Sequence, residues 1–435
     1  MATKPVTIRV RSYQVGFGDC YLLTFRYRSG MEKHVLIDFG TTGLPKRANR
    51  LPTVARTIRD HCGGKLHAIV ATHRHKDHIS GFATSKGGNG PGDIIASCEP
   101  DLVVQPWTED PDAAPDARSP RRQVSSSARA FVAALADMQV VARAITELAA
   151  DTDAPSETLR FLGDTNIANR SAIENLIRMG RSGRAEFVSF DSSSGLESVL
   201  PGVRVNVLGP PTIEQSEEVL KQRHRDEGEF WHLQAMALAG LAGQRRARGN
   251  GRVFPSAEAF RTVPIWSRWI VDRMNDLRAD ALLEIVRTVD SALNNTSVIL
   301  LFRVGRNSLL FPGDAQIENW SYALSHGRVR RLLRSVDLYK VGHHGSLNAT
   351  PKTMWELFRN RSTDENGPTR MYSLVSTMGG KHGHASRRTE VPRRALVDAL
   401  RAETHFITTQ DVRATSTFWR DVEIDVNSGT MTRPT

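Results

Sequence analysis

Short apolar runs recur along this chain. Several of them contain, near their end or just after it, a residue that can bind a metal ion or a proton. The clearest are residues His34–Gly40, Leu66–Ala71, Asn307–Asp314 and Val336–Val341. Apolar runs of four to eight residues between turn signals are typical of buried strands. We therefore expect strands at these places, and further ones at residues 20–27, 186–190, 203–208 and 298–302.

The middle of the chain has a helical pattern instead. Ala, Leu and Arg dominate residues 124–150, and helical spacing returns at residues 214–221, 229–242 and 265–286. We interpret the 435 residues as a single domain, 1–435, with helical insertions at about 106–184 and 212–290. The insertions would form a lid or a protein-partner surface, or they would only decorate the core.

The segment with the most chemical information directly follows the second of these runs. It reads His73-Arg74-His75-Lys76-Asp77-His78, which puts three imidazoles and a carboxylate into six residues at a predicted strand end. In an extended segment His73 and His75 project to the same side, whereas Asp77 and His78 enter from the turn. Imidazole and carboxylate ligands favour Zn²⁺, Mn²⁺ or Fe²⁺ over Ca²⁺. We therefore predict a metal centre.

Other strand ends carry matching groups. Asp38 ends one predicted strand, Asp314 follows a Gly-Asp turn after another, and the pair His343-His344 follows a third in a Gly-His-His-Gly-Ser loop. Rigid strands fix such side chains while the loops leave room for a substrate. Because these groups come in this order, each at a strand end, we expect them to converge on one site.

This order of motifs resembles the metallo-β-lactamase superfamily. Within that superfamily it is most similar to the branch that contains the hydrolase domain of the competence protein ComEC. Three segments carry the closer resemblance: residues 16–19 (Gly-Phe-Gly-Asp), 295–297 (Asn-Thr-Ser) and 383–386 (Gly-His-Ala-Ser). Matching segments cover about residues 5–105, 185–212 and 290–410. The resemblance implies an α+β fold, the four-layer αβ/βα metallo-β-lactamase sandwich, with metals held between its two halves.

The resemblance also implies roles for individual residues. His73 and His75 would bind one metal, Asp77 and His78 the other, and Asp314 would bridge both. One of the two adjacent histidines would complete the second site and the other would face the substrate; we take His343 as the ligand and His344 as catalytic, with the reverse assignment left open. Asp38 would orient the ligand loop. Candidate catalytic residues are Asp77, His344, Lys340 and Ser346, and candidate substrate contacts are His384 and Asn348.

The sequence departs from the wider superfamily at one ligand. A further histidine usually completes the first metal site, but the histidines between Gly81 and Asp314 are only His224 and His232, and neither follows an obvious strand. Water or a carboxylate would then complete that site, or a single metal would act. The expected cofactor is Zn²⁺, one or two ions, with Mn²⁺ as the alternative.

The ligand set points to hydrolysis, because such ions convert a bound water into a hydroxide nucleophile near neutral pH. The chain has 58 Lys and Arg against 47 Asp and Glu, a net charge of +11 and a pI near 9.9, which favours polyanionic substrates. Arginine pairs at residues 387–388 and 393–394 lie near the candidate loops in sequence. We expect a phosphodiesterase or nuclease acting on nucleic acid or another phosphodiester, although the excess of arginine is also consistent with general composition.

Two alternatives remain at this point: an ester or amide hydrolase for a small molecule, and a partner-regulated effector with a metal site. Neither a phosphate-binding P-loop nor a dinucleotide-binding glycine motif occurs in the sequence, and Cys20, Cys62 and Cys98 form no disulfide or metal pattern. No run approaches the roughly 18 apolar residues of a membrane span. We therefore expect a cytoplasmic protein without membrane association.

Overall fold

Two mixed β-sheets dominate the part of the chain that this computed structural model describes. That part is residues 4–44, 50–111, 170–212, 214–216, 294–346, 349–367, 369–381, 390–412 and 417–432. The helical and strand content together agree with an α+β fold, as the sequence predicts.

The first sheet has eight strands in the order β14-β13-β1-β2-β3-β4-β5-β6. The pairs β13–β1, β1–β2 and β2–β3 are antiparallel. From β3 to β6, each strand is parallel to the next. The strands are β1 (Thr7–Tyr13), β2 (Cys20–Arg26), β3 (Glu32–Phe39), β4 (Ala68–Val70), β5 (Leu102–Pro106), β6 (Arg184–Val188), β13 (Trp419–Asp425) and β14 (Met431–Thr432).

The second sheet has six strands in the order β12-β11-β10-β9-β8-β7. Strands β7, β8 and β9 are antiparallel, and β9 to β12 are parallel. The strands are β7 (Arg204–Gly209), β8 (Ile299–Val304), β9 (Asn307–Phe311), β10 (Leu338–Lys340), β11 (Tyr372–Val375) and β12 (His405–Thr408).

Helices connect the parallel strands, as such crossovers require. The helices are α1 (Leu51–His61), α2 (Lys76–Ile79), α3 (Pro91–Ala96), α4 (Arg170–Ser182), α5 (Leu196–Val199), α6 (Ile317–Ser325), α7 (Gly327–Leu333), α8 (Lys352–Trp355) and α9 (Arg394–Glu403). Of these, α5 lies between β6 of the first sheet and β7 of the second. Among the described residues, no helix has the length and apolar content needed to cross a bilayer.

The two sheets share a central apolar core. Along β2, Tyr21 and Leu23 belong to that core, whereas Leu22 faces the opposite side and packs with Val54 and Ile58 of α1. The second sheet alternates in the same way, since Phe311 joins the central core while residues such as Leu310 pack against α6, α7 and α9. Successive strand residues point to opposite faces, so both faces of each sheet are buried.

The strands predicted from apolar runs are present, with boundaries shifted by one to three residues. The first predicted insertion begins and ends inside the core, because Trp107 is buried and α4 packs Leu176 and Met179 against the outer face of the first sheet. Residues 112–169 and most of the second predicted insertion, 217–293, lie outside the described residues. The helical patterns expected there are therefore untested.

Candidate metal centre

The ligand loop begins where β4 ends. Thr72 and His73 leave the strand in an extended path, and α2 starts directly after His75, whose carbonyl accepts hydrogen bonds from the backbone N–H groups of His78 and Ile79 at 2.9 and 3.0 Å. The short helix therefore turns Asp77 and His78 inward. All three histidines of the loop are buried.

Four side chains from both sheets meet in this region: Asp77, His78, Asp314 and His344. One potential ligand atom from each lies within 4.8 Å of all the others; His78, Asp314 and His344 are buried, and the Asp77 side chain is 13% exposed. His78 Nε2 lies 3.0 Å from Asp314 Oδ2, and His344 Nε2 lies 3.0 Å from Asp77 Oδ2 and 3.6 Å from Asp314 Oδ2. Asp77 and His78 follow β4 of the first sheet, whereas Asp314 and His344 follow β9 and β10 of the second, so the group joins the two sheets.

The Nδ1 atoms of His78 and His344 each contact a hydrogen-bond acceptor. His78 Nδ1 lies 2.8 Å from Asp38 Oδ2, and His344 Nδ1 lies 2.9 Å from the carbonyl oxygen of Ser376. Because these partners are acceptors, we assign the proton to Nδ1 in each neutral ring, which leaves Nε2 with its lone pair facing the group. Histidines that bind metal are usually oriented in this way.

Asp38 fixes the start of the ligand loop as well as His78. Its Oδ1 accepts a hydrogen bond from the Thr72 backbone N–H at 2.7 Å, and its Oδ2 accepts one from the Thr72 hydroxyl at 2.7 Å. Its backbone has a φ of 53°, a left-handed conformation that non-glycine residues rarely adopt. Asp38 therefore contacts both His78 and Thr72, and its orienting role stays a prediction.

Asp314 divides its two oxygens between different partners. Oδ1 accepts a hydrogen bond from the His343 backbone N–H at 3.0 Å and one from Lys340 Nζ at 3.3 Å, while Oδ2 faces the histidines. Lys340 also donates to the Gly313 carbonyl at 2.9 Å and forms an ion pair with Asp19. Lys340, which we expected to be catalytic, is buried behind Asp314 and contacts that carboxylate.

His73 and His75 form a pair beside the group. His73 Nε2 lies 3.0 Å from His75 Nδ1, and the His73 and His78 ring centres are 4.2 Å apart. Within the described ranges, no set of three or more His, Cys, Asp or Glu ligand atoms close enough to hold an ion includes either residue. The described residues therefore bring together one group that could hold an ion, and His73 and His75 lie beside it. His224 and His232 lie outside the described residues.

The adjacent histidines have different positions. His344 is buried and belongs to the ligand group, whereas His343 is half-buried and reaches Asp314 through its backbone. Both adopt left-handed φ values, 46° and 51°, in a short 3₁₀ turn. This geometry favours His344 as the ligand, the reverse of the assignment made from sequence. Ser346 closes the turn by donating its backbone N–H to the His343 carbonyl at 2.8 Å. Asn348 and His384 lie outside the described residues.

Burial and charge pull the pKa values in this group in opposite directions. Burial alone would lower the pKa of His78 and His344, but the surrounding aspartates raise both above the ordinary value for histidine. Burial alone would raise the pKa of Asp77 and Asp314, but the neighbouring histidines, together with Lys340 for Asp314, lower both below the ordinary range. These charges favour protonated imidazoles between carboxylates, and a divalent ion would compete with those protons.

Several contributing residues carry little sequence signal of their own. Asp19, Thr72 and Ser376 hold ligands or their partners, and the Phe17 ring packs on His344 with ring centres 4.3 Å apart. Only the Gly-Phe-Gly-Asp turn marked Asp19 in advance. Arg74 lies between ligands in sequence, yet Glu109 holds its guanidinium through both carboxylate oxygens.

Asp19, Asp38 and His78 also lie close enough together to form a possible group of three ligands. In that arrangement, however, His78 would use Nδ1, which Asp38 already occupies, and Asp19 is paired with Lys340. We therefore regard Asp19 and Asp38 as supports of the centre. No protein-family model matches this chain, and no curated protein matches it.

Proposed function

We propose that this protein is a metal-dependent hydrolase and that its fold is the four-layer αβ/βα sandwich of the metallo-β-lactamase superfamily. Two sheets with a shared core and helices on their outer faces are what that sandwich requires. The chain order of the site residues, Asp38, the loop of residues 73–78, Asp314 and His344, agrees with the motif order of the superfamily. The observation that carries the proposal is the convergence of two carboxylates and two imidazoles from both sheets.

The donor atoms fit a divalent transition metal. Two Nε2 atoms and two carboxylate oxygens lie within 4.8 Å of one another in a buried position. His78 Nε2 is fully buried and has no hydrogen-bond partner, although Asp314 Oδ2 lies 3.0 Å away. Mixed nitrogen and oxygen ligands of this kind suit Zn²⁺ or Mn²⁺. Both remain candidates, with Asp77, His78, Asp314 and His344 as the ligands.

A bound ion would supply a Lewis acid that activates water and neutralises charge on a substrate oxygen. The residues of the chain set up that chemistry. Asp38 and the Ser376 carbonyl keep the histidine Nε2 atoms turned inward, and Lys340 with the His343 N–H keeps Asp314 in place. The half-buried His343 side chain is our candidate for proton donation to a leaving group.

We further propose a phosphodiester substrate, with nucleic acid as one form of it. The net charge of +11 favours polyanions. The backbone at Arg393, in the basic pair Arg393-Arg394, lies beside the turn that contains His344, because the Arg393 N–H donates to the Gly345 carbonyl at 2.9 Å. One observation favours a small-molecule ester or amide substrate instead: Glu109 neutralises Arg74, the arginine of the ligand loop.

The test begins with elemental analysis of protein purified without added metal. The same sample is then assayed on single-stranded DNA, RNA and a bis-aryl phosphodiester. We expect bound zinc or manganese and cleavage of at least one of the three. Asp314→Ala should abolish turnover and lower the bound metal without loss of fold. The matched control is Asp101→Ala, which removes an exposed aspartate paired with Lys65. Full activity in Asp314→Ala, or a wild-type protein that binds no ion after reconstitution, would contradict the proposal.

A further inference from the structure

The ammonium group of Lys340 lies behind Asp314 and contacts three oxygen atoms. Lys340 Nζ contacts the Gly313 carbonyl at 2.9 Å, Asp314 Oδ1 at 3.3 Å and a carboxylate oxygen of Asp19. The Lys340 side chain is 2% exposed and Asp19 is fully buried. A buried ammonium persists only when it is paired and hydrogen-bonded, and these three oxygens meet that requirement.

The contacts of Lys340 decide which oxygen of Asp314 is available to an ion. Lys340 and the His343 backbone N–H both donate to Oδ1, so this oxygen points away from the imidazoles. Oδ2 instead lies 3.0 Å from His78 Nε2 and 3.6 Å from His344 Nε2. The carboxylate therefore has one oxygen anchored to the protein and one directed into the ligand group.

We propose that Lys340 is a positioning residue that restricts Asp314 to binding an ion through one oxygen, Oδ2, and that Asp19 serves to hold Lys340 there. The proposal rests on the metal centre proposed above. It offers an alternative to the catalytic role expected for Lys340, and it gives a function to Asp19, whose carboxylate forms an ion pair with the ammonium.

One-oxygen binding favours an ion that accepts few ligands. Zn²⁺ is commonly four-coordinate, whereas Mn²⁺ prefers six, mostly oxygen, ligands. With Lys340 present, Asp77, His78, Asp314 and His344 supply four ligand atoms, one each. Without the lysine, only the His343 backbone N–H holds Oδ1, so Asp314 can rotate more easily and bind through both oxygens, which adds a ligand. The lysine should therefore bias the centre toward Zn²⁺ relative to Mn²⁺.

The experiment measures Zn²⁺ and Mn²⁺ dissociation constants by competition with a metal-binding dye, in wild-type protein and three variants. Lys340→Met removes the ammonium at similar length, and Asp19→Asn removes the charge that holds it. Lys65→Met is the control, because Lys65 is also paired with an aspartate, Asp101, but is exposed. Its Nζ donates to the Glu99 carbonyl just before β5. Circular dichroism of each protein reports whether it is folded.

We expect Lys340→Met to shift the ratio of the two affinities toward Mn²⁺ by tenfold or more. Asp19→Asn removes the charge that holds Lys340 but leaves its contacts with Gly313 and Asp314, so it should shift the ratio in the same direction by a smaller factor. Lys65→Met should change neither affinity. An unchanged ratio in folded Lys340→Met would overturn the proposal, and an unchanged ratio in Asp19→Asn would refute the role given to Asp19.

Two further outcomes keep the test decisive. If Lys340→Met does not fold, Lys340→Gln replaces it, because an amide can still donate to the Gly313 carbonyl while the charge is lost, and the same tenfold shift is expected. A wild-type protein that binds neither ion would refute the metal centre itself. A wild-type protein that binds an ion, with variants that leave the ratio unchanged, would refute only the role of Lys340.

Discussion

The substitution Asp38→Asn should weaken metal binding because it moves the proton of the neighbouring His78 ring from Nδ1 to Nε2. Asp38 Oδ2 accepts from His78 Nδ1 at 2.8 Å, and this bond leaves Nε2 free to bind an ion. In the variant, the amide oxygen can take over the bond from the Thr72 backbone N–H, so the amide NH₂ group faces His78 Nδ1. An NH₂ donor favours an unprotonated Nδ1 and hence a protonated Nε2, which cannot coordinate.

The size of the effect follows from the hydrogen bond between Asp38 and His78. Substitution of a residue that orients a metal-binding histidine typically costs 10–100-fold in metal affinity, or about 1.4–2.7 kcal/mol. We expect a loss of metal affinity at the upper end of this range for Asp38→Asn, because the substitution moves the His78 proton to Nε2 as well as removing a charge. The free energy of unfolding should fall by about 1–3 kcal/mol, since one buried charged hydrogen bond is replaced by a neutral one.

Asp38→Ala separates the two effects. Alanine leaves Nδ1 without a partner but imposes no donor on it, so the ring can still present Nε2 and metal affinity should exceed that of Asp38→Asn. Stability should follow the opposite order. Alanine forms none of the three hydrogen bonds of Asp38 and, at its φ of 53°, tolerates the left-handed backbone less well than asparagine.

The assay pairs dye competition for metal affinity with urea unfolding in the presence of a chelator. Asp38→Asn should bind metal more weakly than Asp38→Ala and yet unfold at a higher urea concentration. Metal affinity of Asp38→Asn equal to that of the wild type, or the same ranking of the two variants in both measurements, would refute the argument from the ring proton.

Three further predictions concern other contacts of the centre. His344→Ala should remove most of the bound metal, whereas His343→Ala should keep it and lower the catalytic rate; equal metal loss, measured by elemental analysis, would contradict this division. In chelator, the stability contributed by His78 and His344 should be complete below about pH 6.5, because the aspartates raise their pKa values above the ordinary one, and should be lost as pH rises through the raised pKa. Metal affinity should rise over the same pH range, and a pH-independent dissociation constant would argue against proton competition. Arg74→Met should destabilise the fold by about 3–5 kcal/mol because it leaves Glu109 buried and unpaired, and Arg74→Met/Glu109→Leu should recover much of that loss; urea unfolding of both variants tests this.

The apolar pattern predicted much of the sheet framework. Runs of strand length at residues 34–40, 66–71, 307–314 and 336–341 correspond to β3, β4, β9 and β10, because buried parallel strands are apolar on both faces. The pattern was less informative where an element is amphipathic or polar. Helix α4 was assigned to an insertion although it packs on the first sheet, and β13, with charged residues on one face, was not predicted.

The ligand residues were more predictable than their division of labour. Histidine and aspartate at successive strand ends indicated the members of the centre, since parallel strands bring their carboxyl ends together. Which of two adjacent histidines binds depends on the left-handed turn at His343 and His344, which is not encoded in residue type. The position of Lys340 behind Asp314 depends on contacts between the two sheets, and adjacency in sequence does not reveal such contacts.

The ligands of the centre come in equal number from the two sheets, Asp77 and His78 from one side and Asp314 and His344 from the other. The coordination geometry of an ion bound to all four would therefore report how the two sheets are aligned. The absorption spectrum of Co²⁺ bound there should change when one sheet shifts against the other, because the shift alters the positions of the ligands. Substitutions in the shared core, such as those at Phe311 or Val207, could then be graded spectroscopically by how far they displace one half of the protein from the other.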